Sequence, residues 1–211
     1  MRSSRTTRTL VAGTTAALVG TLAATAAPAQ AAPGERSLAT VLAADGNRFD
    51  GAWNDFDVLD RAVRTVLGAK PDSDVAVLAD GGTALTAFLP TDRAFRKLVH
   101  EITGERPATE RATFQAVASL GVDTVETVLL YHVVPGPAVT YRQAKRADGV
   151  VLQTAADAPV TVQVANGRVS LQDLDASDPD PRIRLGQTDV NAGNRQLGHG
   201  INRVLRPLDL P

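Results

Sequence analysis

Apolar residues recur at helical spacing along the first two thirds of the chain and alternate with polar ones in the last third. Leu38, Val41 and Leu42 follow Ser37, which predicts a short capped helix. Phe56, Leu59, Val63 and Val66/Leu67 predict a second helix over 55–67, capped by Asp55 or Asp57 and ended by Gly68. The unbroken run Leu85–Leu89, closed by Pro90, predicts a buried strand. Thr91 then caps a helix in which Phe95, Leu98, Val99 and Ile102 form one stripe, and Gly104 stops it. Thr109–Leu120 predicts a further helix with Phe114, Val117 and Ala118 inward. Asp123 and Glu126 have the spacing of a capping box ahead of Val125, Val128 and Leu129. Tyr131–Val134 follows as an extended segment, and Pro135-Gly136 turns the chain.

The C-terminal third is β-rich. Val160, Val162 and Val164 alternate with other residues, Asn166-Gly167 follows, and then come Val169 and Leu171. Asn-Gly suits the two left-handed positions of a type I′ hairpin turn. That turn sets Val164 opposite Val169 and Val162 opposite Leu171, so that all four share a face. Asp173–Pro181 is a loop, and 183–185, 188–191 and 201–205 are further short strands. Helices come first and strands last without βαβ alternation, so the fold class is α+β.

The N-terminus reads as an address. Arg2, Arg5 and Arg8 precede an uncharged stretch over 9–27, which ends in Ala29-Gln30-Ala31. That order is a secretory signal peptide over 1–31. A permanent membrane anchor is the alternative, and the many threonines and glycines disfavour it. The mature chain divides into an N-terminal segment, 32–55, and a domain over 56–208. Without the three leading arginines, 19 basic residues face 23 acidic ones, a net charge of −4. This gives no reason to bind nucleic acid or an anionic membrane. The sequence has no cysteine, which excludes disulfides and thiol chemistry. Its three lysines against abundant alanine and arginine fit a GC-rich bacterial genome.

Three segments resemble one family. Thr86-Ala87-Phe88-Leu89-Pro90-Thr91-Asp92-Arg93-Ala94-Phe95 resembles the first box of the fasciclin (FAS1) domain, Thr-Val-Phe-Ala-Pro-Thr-Asp-x-Ala-Phe. Leu129–Gly136 resembles its central Tyr-His segment. His199-Gly200-Ile201-Asn202-Arg203-Val204-Leu205-Arg206-Pro207 resembles the second box, with Asn202 where the family favours aspartate. The resemblance implies a β-sheet wedge with helices packed against it. It also implies a secreted adhesion module, monomeric, that recognises an extracellular protein or a cell-wall polysaccharide. The binding candidates it carries over are Tyr131, His132, Thr91, Asp92, His199 and Asn202.

Each candidate has a plainer reading. His132 has apolar neighbours on both sides, which favours a neutral core histidine bonded to backbone. His199, between two glycines, reads as a turn residue. Trp53, the only tryptophan, is either a partner anchor or a ring folded onto the domain's edge. Asp173, Asp175, Asp178 and Asp180 lack the residue order of a calcium loop and read as a solvated run. No metal site or cofactor is expected. No Gly-x-Ser-x-Gly elbow, Ser-x-x-Lys or His-Glu-x-x-His pattern occurs, so no catalytic set is expected. Two other readings stay open: a carrier of a small apolar ligand, and a hydrolase using paired carboxylates.

Overall fold

A computed structural model describes residues 33–46 and 48–207. The signal peptide expected over 1–31 lies outside the described residues. Among the described residues no helix is long and apolar enough to cross a membrane.

The helices are α1 (Leu38–Leu42), α2 (Asp57–Ala69), α3 (Asp92–Thr103), α4 (Glu110–Ala118), α5 (Val122–Tyr131) and α6 (Tyr141–Ala144). The strands are β1 (Leu85–Pro90), β2 (Val133–Pro135), β3 (Val151–Gln153), β4 (Pro159–Ala165), β5 (Arg168–Gln172) and β6 (Gln196–Ile201). They form two three-stranded sheets, ordered β2-β1-β6 and β3-β4-β5. β1 runs antiparallel to β2 and parallel to β6. The α+β class holds.

β1 is buried along its whole length and separates two cores. Its residues alternate, as a strand requires. Leu85, Ala87 and Leu89 face a core built with α1 to α5, where Leu38, Val58, Val66, Phe95 and Leu98 pack. Phe88 faces the other core, where Tyr131, Val162, Val169, Leu171, Ile201 and Leu205 fill the space bounded by the second sheet. Leu38 and Leu42 place the 33–55 segment inside the first core.

The hairpin has the expected register, Val164 with Val169 and Val162 with Leu171. Asn166 and Gly167 carry φ of 52° and 72°, the two left-handed positions its turn demands. Ser37, Thr91 and Thr109 cap α1, α3 and α4. Gly104 ends α3 with φ 73°.

Four local expectations are corrected. Gly68 lies inside α2, which ends at Ala69, and neither Asp55 nor Asp57 caps its start. Asp123 and Glu126 do not box α5, whose N-cap is Gly121; both instead reach across to Lys70, the C-cap of the neighbouring α2. Tyr131 is the last residue of α5 and His132 its cap, so the extended segment begins only at Val133. The final strand is Gln196–Ile201 and not 201–205, so His199 sits in mid-strand and not in a turn. The glycines around His199 allow close packing. A Cβ at Gly198 would lie 2.5 Å from Leu89 Cδ1.

Candidate functional site

The family-box side chains are mostly buried and bonded to the chain's own backbone. Tyr131 is fully buried and donates its hydroxyl to Pro159 O at 2.8 Å, joining α5 to β4. His132 is 3% exposed. Its Nδ1 lies 2.7 Å from Val128 O, so that nitrogen carries the proton, and its Nε2 accepts from Leu205 N–H at 2.9 Å. Burial holds its pKa down, to about 4, so the ring is neutral at pH 7.

His199 uses the opposite tautomer. Its Nε2–H donates to Val139 O at 2.8 Å, and its Nδ1 accepts from Asp189 N–H at 3.3 Å. Burial lowers its pKa as well. Three residues earlier, Gln196 accepts from Leu38 N–H and donates to Val77 O and Asp80 O, each at 2.7 Å. Thr91 Oγ1 accepts from Ala94 N–H. Asn202, half-buried, accepts from Arg182 N–H at 2.7 Å. The Thr91 cap is local and was expected, but Leu205, Val139, Val77, Asp80 and Arg182 lie 20 to 119 residues from the side chains they bond, beyond the reach of sequence spacing.

The aspartate run is only partly solvated. Asp175 is buried and pairs with Arg206 at 2.7 Å, while Asp173 accepts from Arg206 N–H at 2.9 Å. Asp178 and Glu101 also contact Arg206, and Glu101 pairs with Arg203. Burial would raise the Asp175 carboxyl, but hydrogen bonds from Ser177 and Arg206 hold it below its usual value. Asp173 has no such side-chain partner, and burial pushes it up to about 6.

A second acidic group sits where three helices begin. Asp57, Asp92 and Glu110 are the first residues of α2, α3 and α4. Asp55, in the loop before α2, joins Asp92 and Glu110 in a set whose oxygens lie within 4.8 Å of one another. Asp50 and Asp57 approach Asp55 in the same way. One oxygen of Asp92 accepts from Val58 N–H at 2.9 Å and so caps α2 from outside. One oxygen of Glu110 accepts from Gly51 N–H at 3.0 Å. Asp92 Oδ2, Glu110 Oε1 and Asp55 Oδ1 are buried with no N–H or hydroxyl donor, and the Asp55 and Asp92 carboxyls lie close enough to share a proton. Burial, reinforced by the charge of Asp55, raises the Asp92 carboxyl to about 8. Glu110 and Asp50 were not foreseen as members of any site. An acid at a helix start reads as a dipole partner, and only the tertiary fold brings three such starts together.

Two recesses flank these features. A cavity of about 390 Å³ beside the acidic group is lined by Phe49, Asp50, Trp53 and Glu110. Trp53 is half-buried at its edge, with the Arg96 guanidinium 4.2 Å from the ring centroid. An open cleft of about 590 Å³ lies where β1 begins and β2 ends, with Thr83, Ala84, Pro135, Gln153, Thr154 and Asp157 around it. The apolar cavity between α2, α3 and α5 holds only about 20 Å³.

Comparison with known proteins gives a consistent result. The family model described as "Fasciclin domain" matches residues 64–207. A solved FAS1 domain pair from the insect cell adhesion molecule Fasciclin I is 15% identical, with a TM-score of 0.53. The match covers 74% of this chain and 48% of that one, so the chain spans about half the length of the pair. No curated protein matches the sequence.

Proposed function

Because this chain belongs to the fasciclin domain family, we propose that it is a binding module without chemistry of its own, exported by its N-terminal signal, that recognises an extracellular protein or a wall polysaccharide. The observation that carries this reading is how the box residues are used. Tyr131, His132, Thr91 and His199 fasten helices and strands to one another from inside. Such fixed, neutral, backbone-bonded groups make a rigid support and leave no free acid, base or nucleophile among them. Recognition then belongs to the surface they hold in place. The open cleft of about 590 Å³ is the part of it with the most room, with the apolar Val77 and Pro135 beside the polar Thr83, Gln153 and Asp157. The solved relative's description as a cell adhesion molecule supports the same class of role.

A carrier of an enclosed apolar ligand is less well supported, since about 20 Å³ is far below the several hundred such a ligand needs.

A glycan array and cosedimentation with insoluble wall polysaccharide test one arm, and binding to purified secreted proteins tests the other. Gln153→Arg with Asp157→Arg should weaken whichever interaction is found by about tenfold or more. Tyr131→Phe, which removes only the bond to Pro159, should leave it unchanged once folding is confirmed. Undiminished binding by the cleft double variant would show that the contact lies elsewhere.

A further inference from the structure

The acidic group at the start of α2, α3 and α4 has more negative charge than the fold neutralises. Each helix N-terminus supplies about half a positive charge, about +1.5 in all. Fully ionised, Asp50, Asp55, Asp92 and Glu110 would carry four negative charges, and none of these four is in an ion pair among the described residues. Asp92 is fully buried and Glu110 is 2% exposed. Each has one oxygen occupied by a backbone N–H and the other buried without a donor. Asp55 adds a third such oxygen. A buried acceptor without a donor costs about 1–3 kcal/mol, and more when charged; a proton shared between Asp55 and Asp92 answers their oxygens only while Asp92 stays protonated, and Glu110 Oε1 has no donor at all.

We propose that Asp55, Asp92 and Glu110 form a binding site for a divalent cation of the hard, oxygen-seeking kind, with calcium favoured over magnesium. Two oxygens bound to one calcium ion at about 2.4 Å can be at most about 4.8 Å apart, which is the limit these carboxylates meet. The donors are all carboxylate, with neither imidazole nor thiolate, which suits calcium or magnesium and not zinc. Magnesium demands a tight octahedron, whereas calcium accepts irregular sets and would admit Asp50 or water as further ligands. The adjoining cavity of about 390 Å³, lined by Asp50 and Glu110, gives the ion a way in.

The site would act as a clasp. Asp55 belongs to the loop whose Trp53 O accepts from Arg93 N–H and whose Gly51 N–H donates to Glu110. An ion would fix that loop to the starts of α3 and α4 at once. Asp50 and Asp55 precede the 64–207 span that matches the family model, so the clasp draws on residues outside that match.

The test is calorimetric titration of the chelator-stripped protein with calcium chloride, and separately with magnesium chloride, alongside thermal unfolding. Saturable heat and a rise in midpoint are expected with calcium. Both should weaken at least about tenfold in Asp55→Asn and in Glu110→Gln, because affinity follows the number of charged ligands. Glu110→Gln keeps an oxygen for Gly51 N–H, so loss of binding with an unchanged circular dichroism spectrum reports on the ion and not on folding. Absence of binding up to about 10 mM would overturn the proposal, leaving the carboxylates to protons and water. Equal binding by wild type and both variants would also overturn it.

Discussion

Two sets of buried polar groups in this domain meet opposite fates. Around Arg206 and the Tyr-His segment every group in the description has an answer. Asp175 has Arg206, His132 has a carbonyl on one side and an N–H on the other, and Gln196 has three backbone partners. At the start of α2, α3 and α4, three carboxylate oxygens have no N–H or hydroxyl donor. Buried polar groups in folded proteins are almost always paired, so the first set reads as architecture and the second as an incomplete site. The side chains of the family boxes are thus the satisfied ones, and the unsatisfied oxygens lie at the helix starts.

The largest effect should come from breaking the satisfied set. Arg206→Met would leave Asp175 buried without its partner, and a loss of about 3–5 kcal/mol is expected from urea unfolding. An effect confined to a few tenths would mean that solvent reaches the aspartates freely.

Acid should act next. His132 has a folded pKa of about 4 against about 6.5 when unfolded, so the unfolded chain takes up the proton first. Its contribution is therefore complete above about pH 6.5 and is lost as pH falls towards 4, about 3 kcal/mol in all. His199 shifts in the same direction, whereas Asp92 and Asp173 act in the opposite sense, since their raised pKa values favour the folded state as they protonate. The His132 part is read as the difference in unfolding free energy between wild type and His132→Asn, which should shrink as pH falls from 7 to 4.

Gly198→Ala probes the fit that brings His199 to its partners. The new methyl would meet Leu89 Cδ1 at 2.5 Å, and a cost of about 1–3 kcal/mol in thermal or urea unfolding is expected. The smallest effect has the reverse sign. In chelator, Glu110→Gln removes one charge and supplies an amide that can donate to a neighbouring carboxylate, so a gain of about 1 kcal/mol is expected. A loss of that size would mean that Glu110 is already satisfied.

What the chain reveals by itself depends on the range of the interaction. The Asn-Gly hairpin and the helix over 92–103 were legible because turn, cap and stripe all lie within a few residues of one another. The end of α2 was misplaced by two residues, because Gly68 does not take the left-handed φ that stops a helix and α2 runs on to Ala69. β6 was misplaced because Gly-His-Gly looks like a turn locally, whereas its glycines answer to Leu89 on the neighbouring strand and to Gln187. The binding candidates were legible as family positions, but their burial was not, except at His132, whose apolar flanks already favoured the core. The acidic cluster was invisible, since Asp55, Asp92 and Glu110 are far apart in sequence and each looks ordinary alone.

The most direct test of the claim that the Tyr-His segment is internal framework is an NMR titration of His132. The account predicts a neutral ring with its proton on Nδ1, unchanged from pH 8 down to pH 5 and protonating only near 4. Titration near 6.5 with no fixed tautomer would place the ring in solvent and contradict it.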